Sequence, residues 1–317
     1  MKHVVTLTLK PTVDKSTAVD QIRPDHKLRC APPKFEPGGG GINVSRALKR
    51  LGIDSLAVFP ASGPAGLLLQ ELLTNEHIPQ QVIETASRTR ENFIVVDNST
   101  NQQYRFGMPG AAITVDEQQQ ILATLNTLAA PDYLVISGSL PPGIEPGFLV
   151  SIVKQAEAGG AKVIVVDTSG PALERVVQEG VYLIKPNIGE LSRMAGVDEL
   201  DSSAVAEAAQ RLVQEGKCEI VVVSLGPRGA CLVTKDQVDH VQAPAVKARS
   251  TVGAGDSMVA GMLYALAKGQ SVQEAVRMGI ACGSAATMNF GTELFQMSDA
   301  ERLYRWLMET TMPKQAA

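Results

Sequence analysis

Three short stretches hold the residue types from which a group-transfer site could be built. The run Ser250-Thr251-Val252-Gly253-Ala254-Gly255-Asp256-Ser257 opens a helical pattern in which Val259, Met262, Leu263 and Leu266 recur at i, i+3, i+4 and i+7. Small residues leave the first-turn amides bare, and a helix start carries about half a positive charge, so an anion fits there. Asp256 lies in that same turn. The helix end favours its ionised form, so it is expected to be charged at neutral pH and able to take a proton from an alcohol. That pairing suits phosphoryl transfer, the amides of Gly253, Ala254 and Gly255 each contributing roughly 2.7 to 4 kcal/mol to the transferring group. The plainer alternative is that Asp256 only caps its helix.

The second stretch, Glu36-Pro37-Gly38-Gly39-Gly40-Gly41-Ile42-Asn43, precedes another helical pattern. Four glycines in a row are costly in backbone entropy. They form either a flexible turn or a surface where a ligand approaches the backbone amides, with Asn43 offering a donor and an acceptor to hydroxyls. In the third, Lys185-Pro186-Asn187-Ile188-Gly189-Glu190, Asn187 and Glu190 are three apart. On a first helical turn they share a face and could hold Mg²⁺ directly or through water, although such pairs are common by chance. Ser224 to Gly229 is a glycine turn after a strand pattern, a seat for a nucleotide or simply a hairpin turn. Ser139 sits at another strand end, and Asp14 beyond the first strand either fixes sugar hydroxyls or caps a turn.

The elements that must position these residues are short apolar runs, Val4-Leu9, Leu56-Phe59, Tyr133-Ile136, Val163-Val166, Val181-Ile184 and Ile220-Val223. Their continuous apolarity is that of strands covered on both faces. Helical patterns lie between them: Val44, Ala47, Leu48 and Leu51 before Gly52, and the Val259-Leu266 stripe before Gly269. Alternation of strand and helix predicts an α/β fold with a mostly parallel central sheet, helices on both faces, and ligands beyond the carboxyl ends of the strands. Two segments break the rhythm, the polar, proline-containing stretch 15–35 and a hairpin pattern within 88–107. They are expected to form a small β-sheet lid on a body made of residues 1–14, 36–87 and 108–312, with 313–317 as a loose tail.

Composition narrows the function classes. The chain has 317 residues, 44% hydrophobic and 20% charged, with 29 basic against 33 acidic side chains and a net charge of −4. No basic footprint for nucleic acid is present, and no apolar run long enough for a membrane span. The absence of a secretory pattern and the four scattered cysteines point to a reducing cytoplasm without disulfides or zinc. The P-loop motif is missing, the dinucleotide fingerprint lacks its third glycine, and Gly255-Asp256-Ser257-Met258-Val259 fails the nucleophile-elbow pattern. The four histidines show no metal spacing.

Taken together, Gly39-Gly40-Gly41-Ile42-Asn43 before a helix, Lys185-Pro186-Asn187-x-x-Glu190, and Ser250-Thr251-Val252-Gly253-Ala254-Gly255-Asp256 resemble the signatures of the PfkB (ribokinase-like) carbohydrate kinases, in their order and spacing. The similarity runs from the opening strand to about residue 310. The resemblance implies a parallel-sheet body with a β-sheet lid, a dimer formed by the lids, and transfer of the ATP γ-phosphoryl group to a sugar hydroxyl. It implies Asp256 as base and Gly253, Ala254 and Gly255 as anion hole. Asp14, Gly39, Gly40, Gly41 and Asn43 would hold the sugar, and Arg90, Arg105 and Ser139 its existing phosphate, joined by Lys27 and Arg29 of the same or the neighbouring subunit. ATP would lie along Lys185, Asn187, Ser224, Gly226, Pro227, Arg228, Gly229 and Ser284. Asn187 and Glu190 would organise Mg²⁺, and the carbonyls of Ser250, Val252, Ala286, Asn289 and Gly291 a monovalent cation such as K⁺. Relatives acting on fructose 1-phosphate or tagatose 6-phosphate generally carry Gly-Lys-Gly-x-Asn and Asn-Pro-x-x-Asp. Gly40 and Lys10 stand here instead. The expected reaction is therefore ATP-dependent phosphorylation of fructose 6-phosphate at its 1-hydroxyl, a glycolytic step. The two relatives' reactions and a non-catalytic sugar- or nucleotide-binding regulator are the alternatives.

Overall fold

Strand residues that point alternately to two covered faces build the centre of the molecule. The computed structural model describes residues 2–289 and 291–311. The chain begins with β1 (Val4–Leu7), β2 (Thr12–Val19), β3 (Lys34–Gly38), α1 (Gly40–Arg50), β4 (Leu56–Ala61), α2 (Gly63–Asn75) and β5 (Gln80–Glu84). Next come β6 (Arg90–Asp97), β7 (Gln102–Phe106), α3 (Val115–Thr127), β8 (Tyr133–Ser137), α4 (Gly147–Ala158), β9 (Val163–Asp167), α5 (Pro171–Val176) and β10 (Val181–Ile184). It continues through α6 (Ile188–Met194), α7 (Val205–Gln214), β11 (Cys218–Ser224), β12 (Ala230–Val233), β13 (Val238–Val241), α8 (Ala254–Ala267), α9 (Val272–Thr287) and α10 (Met297–Thr311).

The larger sheet runs β13-β12-β11-β10-β9-β8-β1-β4-β5. From β11 to β5 all its pairs are parallel, and β12 and β13 add an antiparallel edge. Val135, Val165, Leu183 and Val222 pack on one side against α1, α8 and α9. Their chain neighbours Leu134, Ile164, Ile184 and Val221 pack on the other against α4, α5 and α7. Each six-residue or shorter run is therefore buried on both faces, which is why it carries no polar alternation. All six anticipated runs are strands, and both glycine stops follow their helices with positive φ, 81° at Gly52 and 77° at Gly269. The first run ends at Leu7 rather than Leu9, since the chain leaves the sheet ahead of Pro11, which has no N–H to pair. The polar edge strands β5 and β13 carried no apolar run to foresee, and β12 is apolar throughout but only four residues long.

The smaller sheet runs β3-β2-β6-β7. Its ladder reaches closer to the body than the expected limits of 15–35 and 88–107. Thr12 pairs with both Gly38 and Arg90, so Asp14 and Glu36 to Gly38 are strand residues of the smaller sheet. This brings the root of the lid directly onto the start of α1. Residues 313–317 lie outside the described residues, and among those described no helix is long and apolar enough to cross a membrane.

Candidate active site

Parallel strands deliver their carboxyl ends to one edge of the sheet, and the starts of α1 and α8 meet there. Gly253 caps α8 with φ 72°, a left-handed conformation that favours glycine, and this places Ala254, Gly255 and Asp256 in the first turn. Asp256 accepts a 2.9 Å hydrogen bond on Oδ2 from Nδ2 of Asn43, on the first turns of α1, so residues 213 apart in sequence converge. Asn43 itself is buried.

At the end of β9, Asp167 forms a 3.2 Å ion pair with the buried Lys185, which leads out of β10. Burial and the charge of Asp167 push the Asp256 carboxyl up to about 6, against the opposing effects of Asn43 and Lys185. The expected ionisation at neutral pH holds, but the shift runs opposite to the one the helix end alone would give. Desolvation and a neighbouring carboxylate outweigh the dipole, and Asp256 has a proton affinity closer to neutrality than an ordinary aspartate. Burial works against the charge of Lys185, yet Asp167, Asp256 and Glu190 outweigh it and its pKa is raised. Burial, with Asp167 again contributing, raises Glu190 despite the backbone hydrogen bond it accepts from Asn187. Three carboxylates thus share one ammonium.

Asn187 and Glu190 form a reciprocal capping box at the start of α6: Asn187 Oδ1 accepts from the Glu190 amide at 2.9 Å, and Glu190 Oε2 from the Asn187 amide at 2.8 Å. The pair thus has a local structural use that the spacing left open. Ser224 is tied to this turn, its amide donating to Pro186 O at 2.9 Å. Between these strand ends and α9 opens a cleft of about 570 Å³, mostly apolar, lined by Ser224, Gly226, Pro227, Gly229 and Ser284 and reaching Ala254 and Gly255. Arg228 is turned away from it, its guanidinium donating to Ser202.

The glycine run meets a packing requirement that its sequence did not show. A Cβ at Gly40 would lie 2.4 Å from Ser137 Oγ and 2.6 Å from Gly138 N, and one at Gly41 2.8 Å from Leu7 O. The space is filled by the ends of β8 and β1, so the absent side chains let α1 dock on the strands. Gly39 starts that helix.

On the lid, Asp14 is buried and accepts from Asn92 Nδ2 at 2.9 Å across the parallel β2-β6 register. Burial raises its pKa despite Asn92 and the charge of Arg90. The Arg90 guanidinium donates to Met108 O at 2.8 Å and to the carbonyls of Lys10 and Pro11 at 3.4 Å, which sets its orientation. Arg105 Nη2 reaches from β7 to Thr251 Oγ1 at 3.2 Å, linking the lid to the loop before α8. Ser139 is exposed just past β8, and Lys27 and Arg29 are exposed in the link between β2 and β3.

The proposed cation-binding segments are adjacent. Ser250 N donates to Thr287 O at 3.2 Å, and Ser250 Oγ to Gly291 O at 2.9 Å. The Ala286 carbonyl accepts from the Asn289 amide at 3.2 Å. Val252 N donates to Ser250 Oγ at 3.2 Å, which holds the loop bent. Two residues of the site were missed in the sequence, Asp167 and Asn92. Asp167 ends an apolar run, the position that singled out Ser139 and Ser224, and could have been found by the same rule. Asn92 becomes visible only through the register of two distant strands.

A cleft of nucleotide size ending on a bare helix start, with a raised aspartate beside it and a lid sheet above, defines a phosphotransferase class. The profile of the pfkB family carbohydrate kinases matches residues 1–298, and the chain belongs to this family. The chain is 45% identical over 308 residues to the ATP-dependent 6-phosphofructokinase isozyme 2 of Escherichia coli, spanning 97% of this chain and 99% of that one. It is similar to the crystal structure of phosphofructokinase-2 from Escherichia coli in complex with substrates and products, with TM-score 0.92 and 44% identity over 96% of this chain and 99% of that one. The complex of the same enzyme with potassium gives TM-score 0.93 at 44% identity, covering 97% and 99%. Its tetrameric inhibited form gives 0.90 at 43%, also covering 97% and 99%.

Proposed function

We propose that this protein transfers the γ-phosphoryl group of ATP to the 1-hydroxyl of fructose 6-phosphate, forming fructose 1,6-bisphosphate in glycolysis. The observation that carries the reading is the placement of Asp256, whose carboxylate faces Asn43 on one side and shares its helical turn with the end of the nucleotide-sized cleft on the other. Full-length similarity to a 6-phosphofructokinase supports the same sugar.

In this reading Asp256 takes the proton from the 1-hydroxyl as the oxygen attacks phosphorus. With a pKa of about 6 it is mostly ionised at pH 7, yet basic enough to accept that proton in the transition state. The amides of Gly253, Ala254 and Gly255 bind charge on the migrating group, and Asn43 keeps the carboxylate aimed. Asp14, held by Asn92, Gly39, Gly40 and Gly41 with Asn43, positions the sugar. Arg90, Arg105 and Ser139 bind its phosphate, with Lys27 and Arg29 arriving when the lid closes over the site or from a neighbouring subunit. ATP occupies the cleft along Ser224, Gly226, Pro227, Gly229 and Ser284, with Lys185 and Asn187 near its phosphates. Arg228 lies at the rim. Lid closure excludes water, which otherwise competes for the phosphoryl group.

Among the described residues no cluster of three acidic, histidine or cysteine side chains could hold a metal, so a divalent cation would be held chiefly by the phosphates of ATP. Asn187 and Glu190 would hold Mg²⁺ through water, since their inner atoms are used in capping, and the ion supplies neutralisation of phosphate charge. The neutral carbonyls of Ser250, Val252, Ala286, Asn289 and Gly291 suit a monovalent cation, as in the relative's potassium complex. Phe93, Tyr104 and Phe106 on β6 and β7 are exposed, 50% in the case of Phe106, which supports a homodimer through the lids in a cytoplasmic enzyme. A coupled assay with fructose 6-phosphate, tagatose 6-phosphate, fructose 1-phosphate and ribose tests the substrate. The highest kcat/KM is expected for fructose 6-phosphate, and a preference for any of the other three would overturn the assignment.

A further inference from the structure

Between β1 and β2 the chain passes Leu9, Lys10 and Pro11, and there it forms one wall of a recess at the carboxyl edge of the main sheet. Lys10, Arg88 and Arg90 line this recess together with Ser87 and Thr89, and no aspartate or glutamate is among its lining residues. In a chain of net charge −4, three cations gathered without an acid is an uncompensated concentration of charge.

Lys10 is held there by shape. Its stem lies across Gly110, where a Cβ would come within 2.9 Å of both Cγ and Cε, so the aliphatic part is seated while the head stays partly accessible. Its own carbonyl receives Arg90 Nη2 at 3.4 Å, which ties the backbone of one cation to the guanidinium of the other. Among the described residues Lys10 makes no ion pair, as is also true of Lys15, Lys27, Lys235, Lys247 and Lys268; its place beside Arg90 in the recess is what singles it out. Burial and the charge of Arg90 both lower the Lys10 pKa, the direction expected of a cation whose counter-charge is yet to arrive. Asp14, the carboxylate nearest in effect to Arg90, is a lid residue already engaged by Asn92.

We propose that Lys10 is a further substrate-binding residue, pairing with Arg90 to grip the phosphate that the sugar already carries and so selecting a phosphorylated over a free sugar. A dianionic phosphate offers oxygens to both a guanidinium fork and an ammonium, and each charge-assisted bond adds to affinity without acting at the reacting hydroxyl. This inference rests on the reading of the protein as a sugar-phosphate kinase.

The test compares wild type with Lys10→Met and Lys10→Arg, using fructose 6-phosphate and fructose as acceptors. Lys10→Met is expected to raise the KM for fructose 6-phosphate about tenfold, the loss of one charged hydrogen bond. It should leave kcat within about twofold, the KM for ATP unchanged, and the rate with fructose no lower than that of wild type. Lys10→Arg should recover most of the loss. An unchanged KM for fructose 6-phosphate, an equal loss with fructose, or no recovery by arginine would overturn the proposal. Wild-type turnover of fructose 6-phosphate in the same plates tests the parent reading separately. Calorimetric titration of fructose 6-phosphate into wild type and Lys10→Met reads the role of Lys10 without turnover: weaker binding by the variant supports it, and equal binding refutes it.

Discussion

Replacing Asp256 by asparagine should move activity and stability in opposite directions, and the structure sets both magnitudes. With a pKa of about 6, roughly nine-tenths of the wild-type residue is ionised at pH 7 and about one-tenth at pH 5. If the ionised form is the base, kcat/KM should fall about tenfold between those two pH values. Asp256→Asn keeps the shape but cannot take the proton, so kcat should drop by about 10² to 10⁴ and the residual rate should lose this acid limb. ATP affinity should hold, because the cleft is lined by other side chains.

The same shift makes the carboxylate a stability liability. Its folded pKa of about 6 lies above the ordinary 3.8, so the charged form is disfavoured by folding. The cost is fully present above the folded value and absent below the ordinary one. Two units correspond to about 3 kcal/mol, a net figure that already contains the attraction of Lys185; reduced by partial exposure, about 1 to 3 kcal/mol should be regained by the neutral asparagine at pH 8. Thermal melts at pH 8 and pH 4, alongside steady-state kinetics from pH 5 to 8, measure both effects. A variant within tenfold of wild-type kcat, or one whose stabilisation persists unchanged at pH 4, would refute the reasoning.

Gly40→Ala should force α1 away from β8, since its Cβ would lie 2.4 Å from Ser137 Oγ. The expected cost is about 1 to 3 kcal/mol in denaturant unfolding, with a larger loss of kcat as Asn43 is pulled off Asp256. Asn187→Ala removes a helix cap and should cost about 1 kcal/mol in thermal unfolding. If the residue also orders Mg²⁺, the KM for Mg-ATP rises, while a pure capping role leaves that KM unchanged.

Much of the fold was legible because it is written in local patterns. Strands buried on both faces require unbroken apolar runs, and β1, β4, β8, β9, β10 and β11 showed them. The glycine-rich start of α8 was equally readable, since a bare first turn followed by an i, i+3, i+4, i+7 stripe has few other uses. The polar edge strands β5 and β13 escaped, because edge strands need no such runs, and β12 between β13 and β11, an apolar run only four residues long, escaped with them. The smaller sheet was visible as an interruption of the rhythm, but its extent was set by cross-strand pairing at Thr12, Gly38 and Arg90, which no local window contains.

The sequence by itself determined which residues could do chemistry: an aspartate in a small-residue helix turn, an asparagine after four glycines, and a lysine-to-glutamate turn after a strand. Only the tertiary structure decided how they act on one another. The Asp256 carboxyl is raised rather than lowered because Asp167, from another strand, and the surrounding protein outweigh its own helix. The glycines are required by the ends of β1 and β8, and Asn187 with Glu190 caps a helix. The physical reason is the same in each case. Helix ends and spacings are properties of the neighbouring chain, whereas desolvation, like-charge proximity and steric contact depend on residues brought together across more than a hundred positions.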